Sequence, residues 1–159
     1  MRELLRVYEP RVLLLQESML APGKPAPRFD GYAADRCDRP RKPGEDAGKW
    51  GGGLLALFRD GLCWSPTAGE ARPVGRGDRT TELQDLTVFP HDAPSVRLLN
   101  LYVPPLDGRE FFVARALPKD ACVCGDLNGH HKDWDPAHAG DARGKATRQW
   151  ASEAGLALL

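Results

Sequence analysis

A single mixed α and β domain is predicted from three observations. Several apolar runs of strand length are bounded by turn residues, helical patterns lie near both ends, and no internal repeat is present. Leu4, Leu5, Val7 and Tyr8 form a short helical stripe, and Pro10 stops it before the strand-like run Val12-Leu13-Leu14-Leu15. Residues 21 to 50 hold five prolines among Gly, Asp and Arg, which predicts a long surface excursion broken by a short strand near Tyr32. After Trp50-Gly51-Gly52-Gly53, the run from Leu54 to Phe58 reads as a buried strand. Arg59-Asp60-Gly61 then supplies turn residues before Leu62-Cys63-Trp64, which predicts a hairpin. Leu83 to Phe89 and Val96 to Val103 read as a second antiparallel pair, joined around Pro90 to Pro94.

In the last third, helices begin to alternate with strands. Asp107 caps an expected helix from Arg109 to Leu117, ended by Pro118, and Ala121 to Cys124 reads as a short strand. A final helix is expected over Lys145 to Ala154, closed by Gly155, with Leu156 to Leu159 opening another strand.

The 159 residues, 42% hydrophobic and 28% charged, suffice for one globular unit and not for two. Its 22 basic and 22 acidic residues cancel, which excludes a purely electrostatic nucleic-acid binder and leaves any DNA contact to a local patch. Arg36, Arg39, Arg41, Lys42 and Lys49 are one such group, but Asp35, Asp38, Glu45 and Asp46 are interleaved and offset its field. Four cysteines lack the dense spacing of a secreted disulfide framework, so a reducing, intracellular compartment is expected. No apolar run approaches membrane-spanning length, and no membrane partner is expected.

Polar residues sit where the expected strands end. Leu15-Gln16-Glu17-Ser18 follows the first, Asn100-Leu101-Tyr102-Val103-Pro104-Pro105 closes a later one, and Gly125-Asp126-Leu127-Asn128 follows a third. A rigid sheet fixes such loop groups while leaving them open to substrate. Leu-Gln-Glu, Asn-x-Tyr-x-Pro-Pro and Gly-Asp-Leu-Asn, in that order, resemble the endonuclease/exonuclease/phosphatase superfamily. The following Gly129-His130-His131 with Trp134, and the glycine-rich segment from Gly51 to Leu57, resemble its branch of LINE-like retrotransposon endonucleases.

The resemblance covers Val12 to Leu159 and implies a DNase I-like four-layer α/β sandwich. It makes Glu17 a ligand for Mg2+ or Mn2+, a role that hard carboxylate oxygen suits. It makes Asp126 the residue that orients or deprotonates the attacking water, and Asn128 an amide donor to the phosphoryl group, where a second carboxylate would repel phosphate. Tyr102 matches a hydroxyl that reaches the scissile phosphate, and a core tyrosine bonded at the rim is the other reading. Asn100, His130, His131 and Trp134 are further candidates for substrate or loop contacts. For Trp134, packing of the loop stands beside stacking on a base. Cys122 and Cys124 with the paired histidines invite a zinc reading, against which stands a strand that points both thiols to one side.

The implied enzyme nicks DNA and leaves a 3′-hydroxyl for a partner reverse transcriptase, which places it in the nucleus. Alternatives within the fold are an abasic-site repair endonuclease or another phosphoesterase, and outside it a catalytically inactive fragment. Residues 1 to 159 contain neither a first strand carrying an active-site asparagine nor a closing Ser-Asp-His segment. The domain is therefore expected to be partial.

Overall fold

A computed structural model describes residues 1–21, 23–39, 52–66, 81–105 and 120–157. Within them the chain folds as an α+β protein with two sheets and two helices. Helix α1 spans Arg2–Tyr8 and turns into the left-handed region at Glu9, whose N–H caps the Leu5 carbonyl at 3.1 Å, just before Pro10. Its one buried residue, Leu5, packs against Leu55 and Leu57.

The first sheet holds β1 (Val12–Leu15), β2 (Tyr32–Cys37) and β3 (Leu54–Arg59) in the order β1-β3-β2, with both pairings antiparallel. Strand β3 is buried on both faces, which explains why its sequence is a continuous apolar run rather than an alternating one. Leu55 and Leu57 face α1, Leu13, Leu15 and Tyr32. Ala56 and Phe58 face Leu86 and Val88 of the other sheet. Complete burial of Phe58 or Leu57 contributes about 1.5–3 kcal/mol each.

The second sheet runs β4 (Cys63–Pro66), β5 (Glu82–Phe89), β6 (Val96–Tyr102) and β7 (Ala121–Asp126), neighbours in that order. Strands β4, β5 and β6 pair antiparallel, as expected for β5 and β6, whereas β6 and β7 are parallel. The hairpin expected between β3 and β4 does not form. The turn after Arg59 carries the chain from the first sheet into the second, where Trp64 stacks on Phe58 with ring centroids 4.3 Å apart. Both strands are thus core-facing across the sandwich instead of hydrogen-bonded side by side.

Helix α2 spans Ala142–Glu153 and begins three residues before the expected start. Asp141 caps it by accepting from the Gly144 N–H at 2.6 Å. Gly155 is the expected left-handed terminator (φ 68°). Its N–H bonds Ser152 and that of Leu156 bonds Ala151, the two hydrogen bonds of a Schellman motif. Leu156 and Ala157 are not in a strand. The helix expected over 109–117 and the residues Arg41, Lys42 and Lys49 lie outside the described residues.

Candidate functional site

Strands β6 and β7 run parallel, so their C-terminal ends open on the same edge, and their register sets Tyr102 beside Asp126. Gly125 precedes Asp126 at the closest approach of the two strands. A Cβ there would collide with the Leu101 backbone, so glycine is required. At the end of β1 the chain adopts left-handed conformations at Glu17 (φ 49°) and Met19 (φ 53°). The Ser18 and Met19 N–H groups donate to Gly53 and Gly52 at 2.9 and 3.0 Å, which docks this turn on the glycine segment before β3. Holding a carboxylate residue in the left-handed region costs about 1–2 kcal/mol, a strain that surrounding structure must impose.

The Tyr102 hydroxyl donates to Glu17 Oε1 at 2.7 Å, joining two motifs 85 residues apart. The tyrosine ring is buried and Glu17 is exposed. Burial, then the hydrogen bond and charge of Glu17, raise the Tyr102 phenol well above its ordinary value, with the nearby Arg39 acting in the opposite direction. Tyr102 is consequently a neutral donor at physiological pH.

Asp126 is exposed at the mouth of the edge, and its Oδ1 accepts the Asn128 N–H at 2.8 Å in an Asx turn. Asn128 takes a left-handed conformation (φ 48°), which its side chain tolerates, and its Nδ2 donates to the Val103 carbonyl at 3.0 Å. That bond uses one of the two amide protons and ties the Asp-x-Asn loop to the end of β6. Asp126, Leu127, Asn128, His130 and Trp134 line a cleft of about 440 Å³.

Asn100 is fully buried and faces inward. Its amide donates to the Leu15 carbonyl at 3.2 Å and to Gln84 Oε1 at 3.1 Å, and its Oδ1 accepts from Gln16 at 2.6 Å. It fixes the strand end that carries Glu17 and does not reach solvent. His130 and His131 belong to the loop as well: His130 pairs with Asp135 at 2.6 Å, and His131 lies 5.0 Å from the Trp134 ring. Trp134 donates its indole N–H to the Gly129 carbonyl at 3.0 Å, which ties the ring to the loop while leaving it 36% exposed. Cys122 and Cys124 do point to one side, with sulfurs 3.6 Å apart, and burial raises the Cys124 thiol to about 11.

One residue escaped the sequence reading, and Arg39, expected in a surface patch, turns out to be its partner. Glu82 is fully buried, pairs with Arg39 and accepts the Gly53 N–H at 2.6 Å, beneath the turn that holds Glu17. The Arg39 guanidinium also stands 6.0 Å from the Tyr102 ring centroid. A readable signal existed: Glu82, Gln84, Leu86 and Val88 share the inward parity of β5, so a carboxylate there needs a partner. Starting the strand at Leu83 concealed it.

No protein-family model matches the chain, and a search of curated proteins finds no match to it.

Proposed function

We propose that this chain carries the centre of a metal-dependent phosphodiester hydrolase, in particular a DNA-nicking endonuclease of the LINE-like retrotransposon type on a DNase I-like four-layer sandwich. The observation that carries the reading is the Glu17–Tyr102 hydrogen bond at one strand end, with Asp126 beside Tyr102 in the adjoining register. Three motifs far apart in sequence thereby share one edge, open to a phosphate backbone.

The donor set fits a hard divalent ion. Glu17 is exposed, and the tyrosine bond engages Oε1, leaving Oε2 outside that bond. Mg2+ typically binds through one or two carboxylates, with water and substrate phosphate completing the shell, so a crowded protein cage is not required. When bound, Mg2+ or Mn2+ would neutralise charge on a phosphate oxygen. The chain's own groups divide the remaining work. Asp126 is the charged group that orients or deprotonates water, Asn128 offers its second amide proton to a phosphoryl oxygen, and Tyr102 is a neutral donor held against Glu17. The partners under this reading are nuclear DNA and a reverse transcriptase that extends the nick.

Nicking of supercoiled plasmid by residues 1 to 159 with Mg2+ tests the proposal, with EDTA, Glu17→Ala and Asp126→Ala as controls. Nicking is expected to fall at least 100-fold in each control. Equal nicking by either variant, or none from protein that melts cooperatively, would overturn it.

A further inference from the structure

The loop between β7 and α2 brings His130, Asp135 and His138 together, with one ligand atom from each lying within 4.8 Å of the others. Both imidazole Nδ1 atoms converge on the same Asp135 oxygen, at 2.6 Å from His130 and 2.7 Å from His138. The rings stack with centroids 4.6 Å apart and planes inclined by 25°, so they present the same edge to the carboxylate. From this geometry we propose that His130, Asp135 and His138 form a second metal site, separate from Glu17, for a late first-row divalent ion such as Zn2+.

The chemistry of the donors selects the ion. Two imidazoles and one carboxylate suit zinc, nickel or copper, whereas Mg2+ takes oxygen ligands and would gain little from nitrogen. Ligand atoms around tetrahedral zinc at about 2.0–2.1 Å stand roughly 3.3 Å apart, so each N–O pair need open by only about 0.6–0.7 Å. Side-chain rotation at an exposed site accommodates that. His130 and His138 keep 54% and 60% of their side-chain surface in solvent, leaving the fourth position open to water or an anion.

The frame around the ligands is already built. Asp135 and Trp134 N–H groups both donate to the His131 carbonyl, at 2.8 and 3.1 Å, and the His138 N–H donates to Asp135 at 3.1 Å. Asp141 accepts the His130 N–H at 3.2 Å while its own N–H bonds the His130 carbonyl at 2.9 Å. Gly144 allows α2 to press against that same carbonyl, where a Cβ would collide. Such support restricts the ligand loop before any ion binds, which lowers the ordering cost of binding. The site stands independently of the proposed hydrolytic centre, because it shares no ligand with Glu17.

Calorimetric titration of the full chain with Zn2+ alone tests the inference, with Cys122→Ser present to monitor the competing thiol pair. One ion per chain is expected. His138→Ala and Asp135→Asn should each weaken it at least ten-fold with melting temperature unchanged, while Cys122→Ser and millimolar Mg2+ leave the affinity intact. Affinity unchanged in both loop variants, loss confined to Cys122→Ser, or no binding by the folded chain would overturn the proposal.

Discussion

Polar side chains gather in two regions of this molecule under opposite physical conditions. Between the sheets, Glu82, Gln84, Asn100 and Tyr102 are each no more than 3% exposed, and their bonds to Gln16, Glu17 and Arg39 span 43 to 85 residues of sequence. In the loop before α2, His130, Asp133 and His138 are partly or largely exposed and, with Arg148 of α2, form pairs over 15 residues or fewer. A buried polar group without its partner is left desolvated, so the first region holds the two sheets in one register. Exposed ion pairs compete with water and salt and contribute little to stability, so the second is free to serve a ligand.

The largest effect expected from this contrast is at Asn100. Asn100→Ala removes the partners of the half-buried Gln16 amide, the buried Gln84 Oε1 and the Leu15 carbonyl, and should cost about 3 kcal/mol. Thermal denaturation should then show a melting temperature lower by about 6–12 °C. A change under about 2 °C would mean that water replaces the lost partners and that the network does not fix the register.

Asp141 joins the exposed loop to its helix, and Asp141→Ala removes the cap on Gly144 and the bond to His130. A loss of about 1 kcal/mol is expected in denaturant unfolding. The Gly144 N–H bond, followed by that of His130, holds the Asp141 carboxyl below its ordinary range. Its contribution is thus present above the unfolded value and disappears as pH falls through the folded one. Unchanged stability in the variant would detach the loop from α2 energetically.

The smallest expected effect is a pH slope at Glu82. Burial raises its carboxyl above the ordinary value of 4.5, against the opposing influence of Arg39 and the Gly53 N–H. The folded protein therefore keeps this proton to higher pH than the unfolded chain. The group's contribution is fully present below the unfolded value and is lost as pH rises through the folded one. Glu82→Gln abolishes that equilibrium, so the variant should gain on the parent protein in melts taken from about pH 4 to about pH 7. If the variant instead loses ground, the Arg39 and Gly53 interactions outweigh burial.

Much of the local architecture was legible because hydrophobic periodicity is local. The continuous run in β3 marked a strand buried on both faces, and each motif sat where an apolar run gave way to polar residues. The α2 start was missed because Gly144 has poor helix propensity, and the Asp141 cap and close packing on His130 override it. The β3–β4 hairpin was misread because the turn residues at Arg59-Asp60-Gly61 reverse a chain without choosing its partner strand.

By itself, then, the sequence determined which segments form strands, which residues alternate inward, and that Glu17, Tyr102 and Asp126 stand at strand ends. Only the tertiary structure decided that β3 and β4 belong to different sheets, that Glu82 meets Arg39, and that two histidines close on Asp135. The physical reason is range. A period of two assigns a side chain to a face, but its partner depends on inter-strand register and loop closure, which are settled by the packing of the whole core.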